Sequence, residues 1–174
     1  APTELAKTIK RIGGKFLHIS TDFVFDGNSN SPYKPYDEPN PINIYGKTKL
    51  FGERGVQEVL GNTNQYFIIR TSWVMGPVGN NFAITMLKLH NSREKISVVS
   101  DQIGCMTSTL SLSNICWLII KNNLQNDNNP NILHWSESGV SSWFDIATEI
   151  RDLALSLKLI EKSAKVIPIS SEKY

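Results

Sequence analysis

Cysteine is scarce in this 174-residue sequence. Cys105 and Cys116 lie outside any CxxC spacing, so they build neither a disulfide framework nor a zinc site by themselves and read as two reduced thiols. No metal site is expected. Long hydrophobic runs are missing too. The stretch Ile115-Cys116-Trp117-Leu118-Ile119-Ile120 is far short of the ~20 residues needed to cross a bilayer, and no basic-then-apolar leader opens the sequence. The expectation is a cytoplasmic protein with no membrane partner. Charge of one sign is also lacking: 18 basic and 16 acidic residues leave a net charge of +2, scattered along the chain. That pattern carries no electrostatic footprint for nucleic acid. What is present is a composition 40% hydrophobic and 20% charged, that of one globular domain or part of one.

Periodicity supplies the organisation. Glu4 to Ile12 places Leu5, Ile9 and Ile12 on one helical face, and Gly13-Gly14 ends it as a C-cap. Lys15 to Ile19 reads as a short strand. Asp26 to Pro41, with prolines at 32, 35, 39 and 41, makes a long irregular loop, of a length uncommon without a function. Ile42 to Leu60 is helical, with Tyr45, Lys49, Gly52 and Val56 along one stripe, and Tyr66 to Val74 is again a strand. This order implies parallel strands joined by crossover helices. Further on, a helix over Asn81–Leu89 is capped by Asn80 or Asn81, a strand covers Ile96–Val99 and a helix covers Leu110–Lys121. Asn122 to Asn131 reads as a solvated connection. A strand over Ile132–Trp135, a helix from Trp143 to about Leu157 capped by Ser141 or Ser142, and a strand over Val166–Ile169 complete the series. The first strand has no earlier strand to pair with, so further strands are expected upstream.

Two stretches carry chemistry. In ISTDFVFDG, Ile19 to Gly27, the polar residues Ser20, Thr21 and Asp22 interrupt an apolar run. At the carboxyl edge of a parallel sheet, where open α/β folds place ligands, their hydroxyls and carboxylate have a use. In YGKTK, Tyr45 and Lys49 stand four residues apart and share a helix face, with Cβ atoms ~5–6 Å apart. A tyrosine acting as acid near neutrality must be shifted by roughly three pKa units, about 4 kcal/mol. One cation at ~4 Å supplies about that at an effective dielectric of ~20, and only ~1 kcal/mol in water. The pair must therefore be partly buried. Thr21 and Tyr45 could then grip one substrate oxygen.

A strand hydroxyl, a tyrosine and a lysine four residues later are the pattern of the extended, sugar-nucleotide branch of the short-chain dehydrogenase/reductase superfamily. The blocks STDFVFDG, NPINIYGKTKLFGE, IIRTSWVMGPVGNNF, VVSDQIGCMTST and HWSESGVSSWFDIA resemble, in order, those of the dTDP-4-dehydrorhamnose reductases, over residues 15 to 150 or so. The chain departs from that pattern at Gly104-Cys105-Met106-Thr107, where the family usually has a proline before the threonine.

The resemblance implies an α/β fold: part of a Rossmann-like, doubly wound parallel sheet with a small C-terminal substrate-binding portion. Residues 1–78 would be the C-terminal half of the NAD(P)-binding domain, with the catalytic residues; residues 79–174 would be mainly substrate-binding and intertwined with it. It implies Tyr45 as the acid that protonates the sugar C4 oxygen. Lys49 would assist Tyr45 and bind the nicotinamide ribose with it. Thr21 would sit on the reacting oxygen, and Asp22, Trp73 and Asn81 at the substrate. Gln102 is a weaker site candidate, and His18 and His134 read as packing. The cofactor would be NADPH or NADH, the substrate a small nucleotide sugar, and a homodimer is allowed. No GxGxxG or GxxGxxG occurs. The Gly-rich turn that holds the cofactor pyrophosphate, with three strands of the sheet, is thus expected outside this chain, which would not turn over alone and would expose a sheet edge. The alternatives are a sugar-nucleotide epimerase or dehydratase, and a non-catalytic regulatory subunit resembling the methionine adenosyltransferase β subunit; the RTSWV block argues for the reductase.

Overall fold

The computed structural model describes residues 1–61, 63–122 and 131–174, with the backbone alone at Asn122. In chain order the elements are α1 (Pro2–Ile12), β1 (Phe16–Thr21), α2 (Ile44–Leu60), β2 (Tyr66–Thr71), β3 (Val74–Met75), α3 (Phe82–Ser92) and β4 (Lys95–Val99). There follow β5 (Ile103–Gly104), β6 (Thr107–Ser108), α4 (Thr109–Asn122), β7 (Ile132–Trp135), β8 (Ser141–Ser142), α5 (Trp143–Ser156) and β9 (Lys165–Ile169). The asparagine-rich connection expected between α4 and β7 lies outside the described residues.

Two compact units divide the chain: Ala1–Ser72 with Leu112–Trp135, and Trp73–Ser111 with Ser136–Tyr174. The division falls at Ser72 where the sequence suggested residue 78, and Leu112–Trp135 returns to the first unit. Its α4 and β7 complete that unit's sheet and face, as a crossover helix and strand do.

In the first unit β1, β2 and β7 form a parallel sheet in the order β1-β2-β7. All six residues of the central strand β2 are buried, which is why YFIIRT is apolar on both faces up to its arginine. One face packs on α1 and α2 through Ala6, Val56, Leu60, Tyr66 and Ile68; the other packs on α4 through Phe67, Ile69, Ile119, Leu112 and Ile115. The sheet is therefore doubly wound. Among the described residues β1 has β2 as its single partner strand.

The buried side of α1 corrects the sequence reading. Leu5 and Ile12 are exposed (55% and 66%), whereas Ala6 is fully buried with Ile9 beside it. The cause lies in α2. A Cβ on Gly52 would come 3.2 Å from Pro2 Cγ, and one on Gly55 would come 2.0 Å from Thr3 Oγ1. The glycines let α1 approach closely, and that approach selects the small residues of α1 over its large apolar ones.

In the second unit β4 and β9 run parallel, with α3 and α5 packed on them around Met86, Ile96, Val98, Ala147, Ala164 and Val166. Two short pairs accompany them, β3 with β6 and β5 with β8. The strand expected over Tyr66–Val74 is thus two: β2 ends at Thr71, Trp73 adopts a left-handed φ of 43°, and β3 pairs in another sheet. α5 opens on a capping box between Ser142 and Asp145, and Asn81 rather than Asn80 caps α3. Among the described residues no helix is long and apolar enough to cross a membrane.

The loop between Val24 and Ile44 is organised by one carboxylate. Asp26 Oδ1 accepts the Tyr33 hydroxyl at 2.6 Å and the Asn28 amide at 3.0 Å, and Oδ2 accepts Asn40 Nδ2 at 2.9 Å. The Tyr33 bond, then the Asn28 and Asn40 bonds, hold the Asp26 carboxyl down at about 2, against an ordinary 3.8. A depressed carboxyl stabilises the fold fully above its unfolded value and loses that contribution as pH falls through the folded one. Protection factors of the loop amides, which divide out the intrinsic pH dependence of exchange, should therefore stay level above pH 3.8 and fall as pH drops toward about 2. Protection already falling near ~pH 6 would contradict this assignment.

Candidate active site

Polar residues end β1 because they build a turn. Thr21 Oγ1 accepts the Phe23 amide at 3.2 Å, capping a short 3-10 turn over Asp22–Val24, and donates to Asp22 Oδ1 at 3.0 Å. Thr21 is buried, while Asp22 keeps solvent access within a crowded part of the unit. Desolvation pushes the Asp22 carboxyl up, and the Thr21 hydrogen bond pulls against it.

α2 starts against this turn. Asn43 Oδ1 accepts the Gly46 amide at 2.7 Å as the N-cap. A Cβ on Gly46 would lie 2.1 Å from the Phe23 carbonyl oxygen, so only glycine lets the first turn of α2 rest there. The Tyr45 ring is 54% exposed, so the partial burial that the pair requires is met on the Lys49 side alone; the ring meets Phe23 edge to face at 5.8 Å. One turn on, Lys49 Nζ donates to the Ile19 carbonyl at 2.7 Å. Lys49 is half-buried, and desolvation pushes its ammonium down while the charge of Glu53 pushes it up. Thr21, Asp22, Tyr45 and Lys49 are thus gathered at the carboxyl end of β1. The arrangement offers a phenol, an ammonium and a hydroxyl on one sheet edge, the set needed to protonate and hold a carbonyl oxygen.

Beneath them lies an ion pair that sequence reasoning missed. Glu53 is fully buried and Arg70 is 4% exposed. Arg70 Nε donates to both Glu53 oxygens at 3.1 and 3.2 Å, and Nη2 to Oε2 at 2.8 Å. The Ser20 hydroxyl donates to Glu53 Oε1. Arg70 Nη1 reaches the Pro35 carbonyl at 3.3 Å, and the guanidinium lies 5.1 Å over the Phe25 ring. A signal was available: an arginine inside the apolar run YFIIRT requires a counter-charge, and Glu53 stands one turn beyond Lys49 on the same helix.

His18 stacks on Phe16, and His134 uses Nδ1 on the Tyr33 carbonyl at 3.1 Å with its ring edge to Phe25. Because a carbonyl only accepts, Nδ1 of His134 carries the proton. Burial pushes both imidazoles down, followed by the charges of Lys49 on His18 and Arg70 on His134.

The second unit holds the other expected residues. Trp73, in its left-handed conformation, stacks on Trp143 at 3.7 Å, and a Cβ on Gly104 would come 2.8 Å from its Cζ2. Such backbone strain in a bulky residue costs ~1–3 kcal/mol and persists where neighbours enforce it. Asn81 is engaged as a cap: Oδ1 accepts the Ile84 amide at 3.1 Å, and Nδ2 donates to the Gly76 carbonyl at 2.8 Å. Gln102 Oε1 accepts the Trp143 indole at 3.2 Å. Gln102 and Trp143 border a cleft of about 420 Å³, lined also by Phe82, Met86, Leu89 and Val98. Among the described residues no group of three or more His, Cys, Asp or Glu is placed to hold a metal ion.

The sequence matches, over residues 1–174, the family model described as RmlD substrate binding domain. It is 42% identical over 142 residues to the spore coat polysaccharide biosynthesis protein SpsK of Bacillus subtilis (strain 168), covering 82% of this chain and 47% of that protein. It is 37% identical over 164 residues to the dTDP-4-dehydrorhamnose reductase of Escherichia coli (strain K12), covering 92% of this chain and 54% of the relative. The structure is similar to that of dTDP-4-dehydrorhamnose reductase from Bacillus anthracis str. Ames in complex with NADP, with a TM-score of 0.86, 38% identity, and coverage of 99% of this chain and 56% of that one. The chain spans about half the length of the curated relatives it matches.

The contact of α2 with the strand end is open to a direct test. Gly46→Ala should lower stability by ~1–3 kcal/mol through overpacking against a backbone atom, read from the denaturant midpoint. An unchanged midpoint would mean that the helix start is not seated on Phe23.

Proposed function

The chain belongs to the RmlD substrate binding domain family, and from that premise we propose that it is the catalytic and substrate-binding part of an NAD(P)H-dependent dTDP-4-dehydrorhamnose reductase. The reaction is reduction of the 4-keto group of dTDP-4-dehydrorhamnose to dTDP-L-rhamnose, for nucleotide-sugar and polysaccharide synthesis. The observation that carries this reading is the Lys49 ammonium bonded to the Ile19 carbonyl one turn along α2 from Tyr45, whose ring leans on Phe23. Both groups are held at the strand end that carries Thr21.

Tyr45 gives its proton to the C4 oxygen of the sugar. Thr21 turns its hydroxyl from Asp22 to that oxygen, a rotation about Cβ–Oγ at the cost of one hydrogen bond. Asp22 lies beside it at the sugar. A nicotinamide cofactor supplies the hydride when bound, which no side chain can replace. Lys49 fits the ribose of such a cofactor, since its bond to Ile19 uses one of three N–H donors. Tyr45 is its companion there; a Gly-rich pyrophosphate turn is not among the 174 residues. In the second unit the stacked Trp73 and the Trp143-lined cleft offer flat apolar surface to a nucleotide sugar, with Asn81 fixing the start of α3. A cytoplasmic location and a homodimer belong to the same reading.

The test is NADPH or NADH oxidation by the full-length protein with dTDP-4-dehydrorhamnose. Tyr45→Phe should lower kcat by ~10²–10⁴-fold while cofactor fluorescence still reports binding. Full activity in that variant would remove Tyr45 as the acid. No cofactor oxidation by the wild type would remove the reductase reading itself.

A further inference from the structure

Glu53 and Arg70 take no part in the proton chemistry, yet they touch each segment that places it. Glu53 is one turn beyond Lys49 on α2, Arg70 is one residue before the end of β2, and Ser20 is one residue before Thr21 on β1. Ser20 and Arg70 are register partners across β1 and β2, and both donate to the Glu53 carboxylate. The fourth segment is the loop that leads from the 3-10 turn to α2, held at the Pro35 carbonyl and under the Phe25 ring.

We propose that the Glu53–Arg70 pair is the positioning element of the active site: it fixes α2, with Tyr45 and Lys49, against the end of β1, and it anchors the 26–41 loop. A buried ion pair is weak evidence for net stability, since well-packed apolar residues often do as well. What an apolar pair lacks is direction. A guanidinium fork binds its carboxylate in a preferred plane, so a sideways slip of α2 over the sheet breaks three bonds together. Fine placement matters because a ~1 Å error at a reacting group can cost ~10²-fold in rate. The inference rests on the reductase reading for its rate consequence, whereas its loop consequence stands apart.

Two variants of the full-length protein test it. Arg70→Lys keeps the charge but cannot span Glu53 and Pro35 together. Ser20→Ala removes one bond and leaves the ion pair. Arg70→Lys should lower kcat by ~10–100-fold with KM for NADPH and dTDP-4-dehydrorhamnose within about twofold, the mark of lost transition-state alignment. It should also speed exchange of the Ser29, Ser31, Lys34 and Asp37 amides by ~10-fold or more, while α1 and the β2–β7 ladder hold their protection. Ser20→Ala should lower kcat by ~3–10-fold with loop exchange unchanged. Both variants keeping kcat within about twofold of wild type would overturn the proposal. So would exchange that rises evenly through the whole unit in step with a fall in Tm, the signature of a general stabiliser. Should the wild type oxidise no cofactor, the reductase reading falls, and loop-localised exchange in Arg70→Lys still supports the anchoring role, while unchanged exchange overturns it.

Discussion

A guanidinium and a carboxylate shut away from water hold the first unit in register. Moving both ions out of water costs several kcal/mol each, and the cost is met only where geometry is good and the remaining donors and acceptors are filled. Much of that is met here: three of the five Arg70 N–H groups reach Glu53 or Pro35, and Ser20 fills a further site on the carboxylate. Losing one partner would leave a bare buried charge at ~3–5 kcal/mol, a large share of the ~5–15 kcal/mol that stabilises an ordinary domain. The pair also forbids slippage. A one-residue shift of β1 or β2 would turn Ser20 or Arg70 to the α4 face, where the core is Phe67, Ile69 and Ile119.

With α2 pinned by its middle, its glycines decide what lies at either side. Gly46 admits the Phe23 carbonyl, and Gly52 and Gly55 admit Pro2 and Thr3. Glycines inside a helix each cost roughly 0.5–1 kcal/mol relative to alanine, so their clustering on one helix reflects packing demands that outweigh propensity. The short approach on one side seats Tyr45 on Phe23; that on the other locks α1 to the back of the same helix.

Much of this was legible in the residues. Elements with a clean period and clear caps, such as α2, α5 and β7, lie close to where the sequence puts them, because local pattern and tertiary packing agree. Tyr45, Lys49 and Thr21 stood out because their residue types have uses that packing does not require. The face of α1 was misread because a helix alone shows which residues are large, not which surface its neighbour can accept. The split of Tyr66–Val74 was hidden because β-branched and aromatic residues read as strand, while Trp73 takes a left-handed turn that its own type disfavours. The Glu53–Arg70 pair escaped notice since its members lie seventeen residues apart on different elements. Pairing of that kind is a property of the folded chain.

The choice of partner for Lys49 carries a last physical point. A carboxylate in contact would fix the ammonium but cancel most of its field at a nearby phenol. The Ile19 carbonyl fixes it with a neutral acceptor instead, so position is secured and charge is kept. Burial then threatens the charge, since desolvation favours the neutral amine. Glu53 opposes that loss from one turn away, but only in part, because Arg70 and Ser20 already claim its oxygens and the guanidinium offsets its charge. Desolvation still wins, so the Lys49 ammonium is left easier to deprotonate than a free one, with no counter-charge in contact to mask its field.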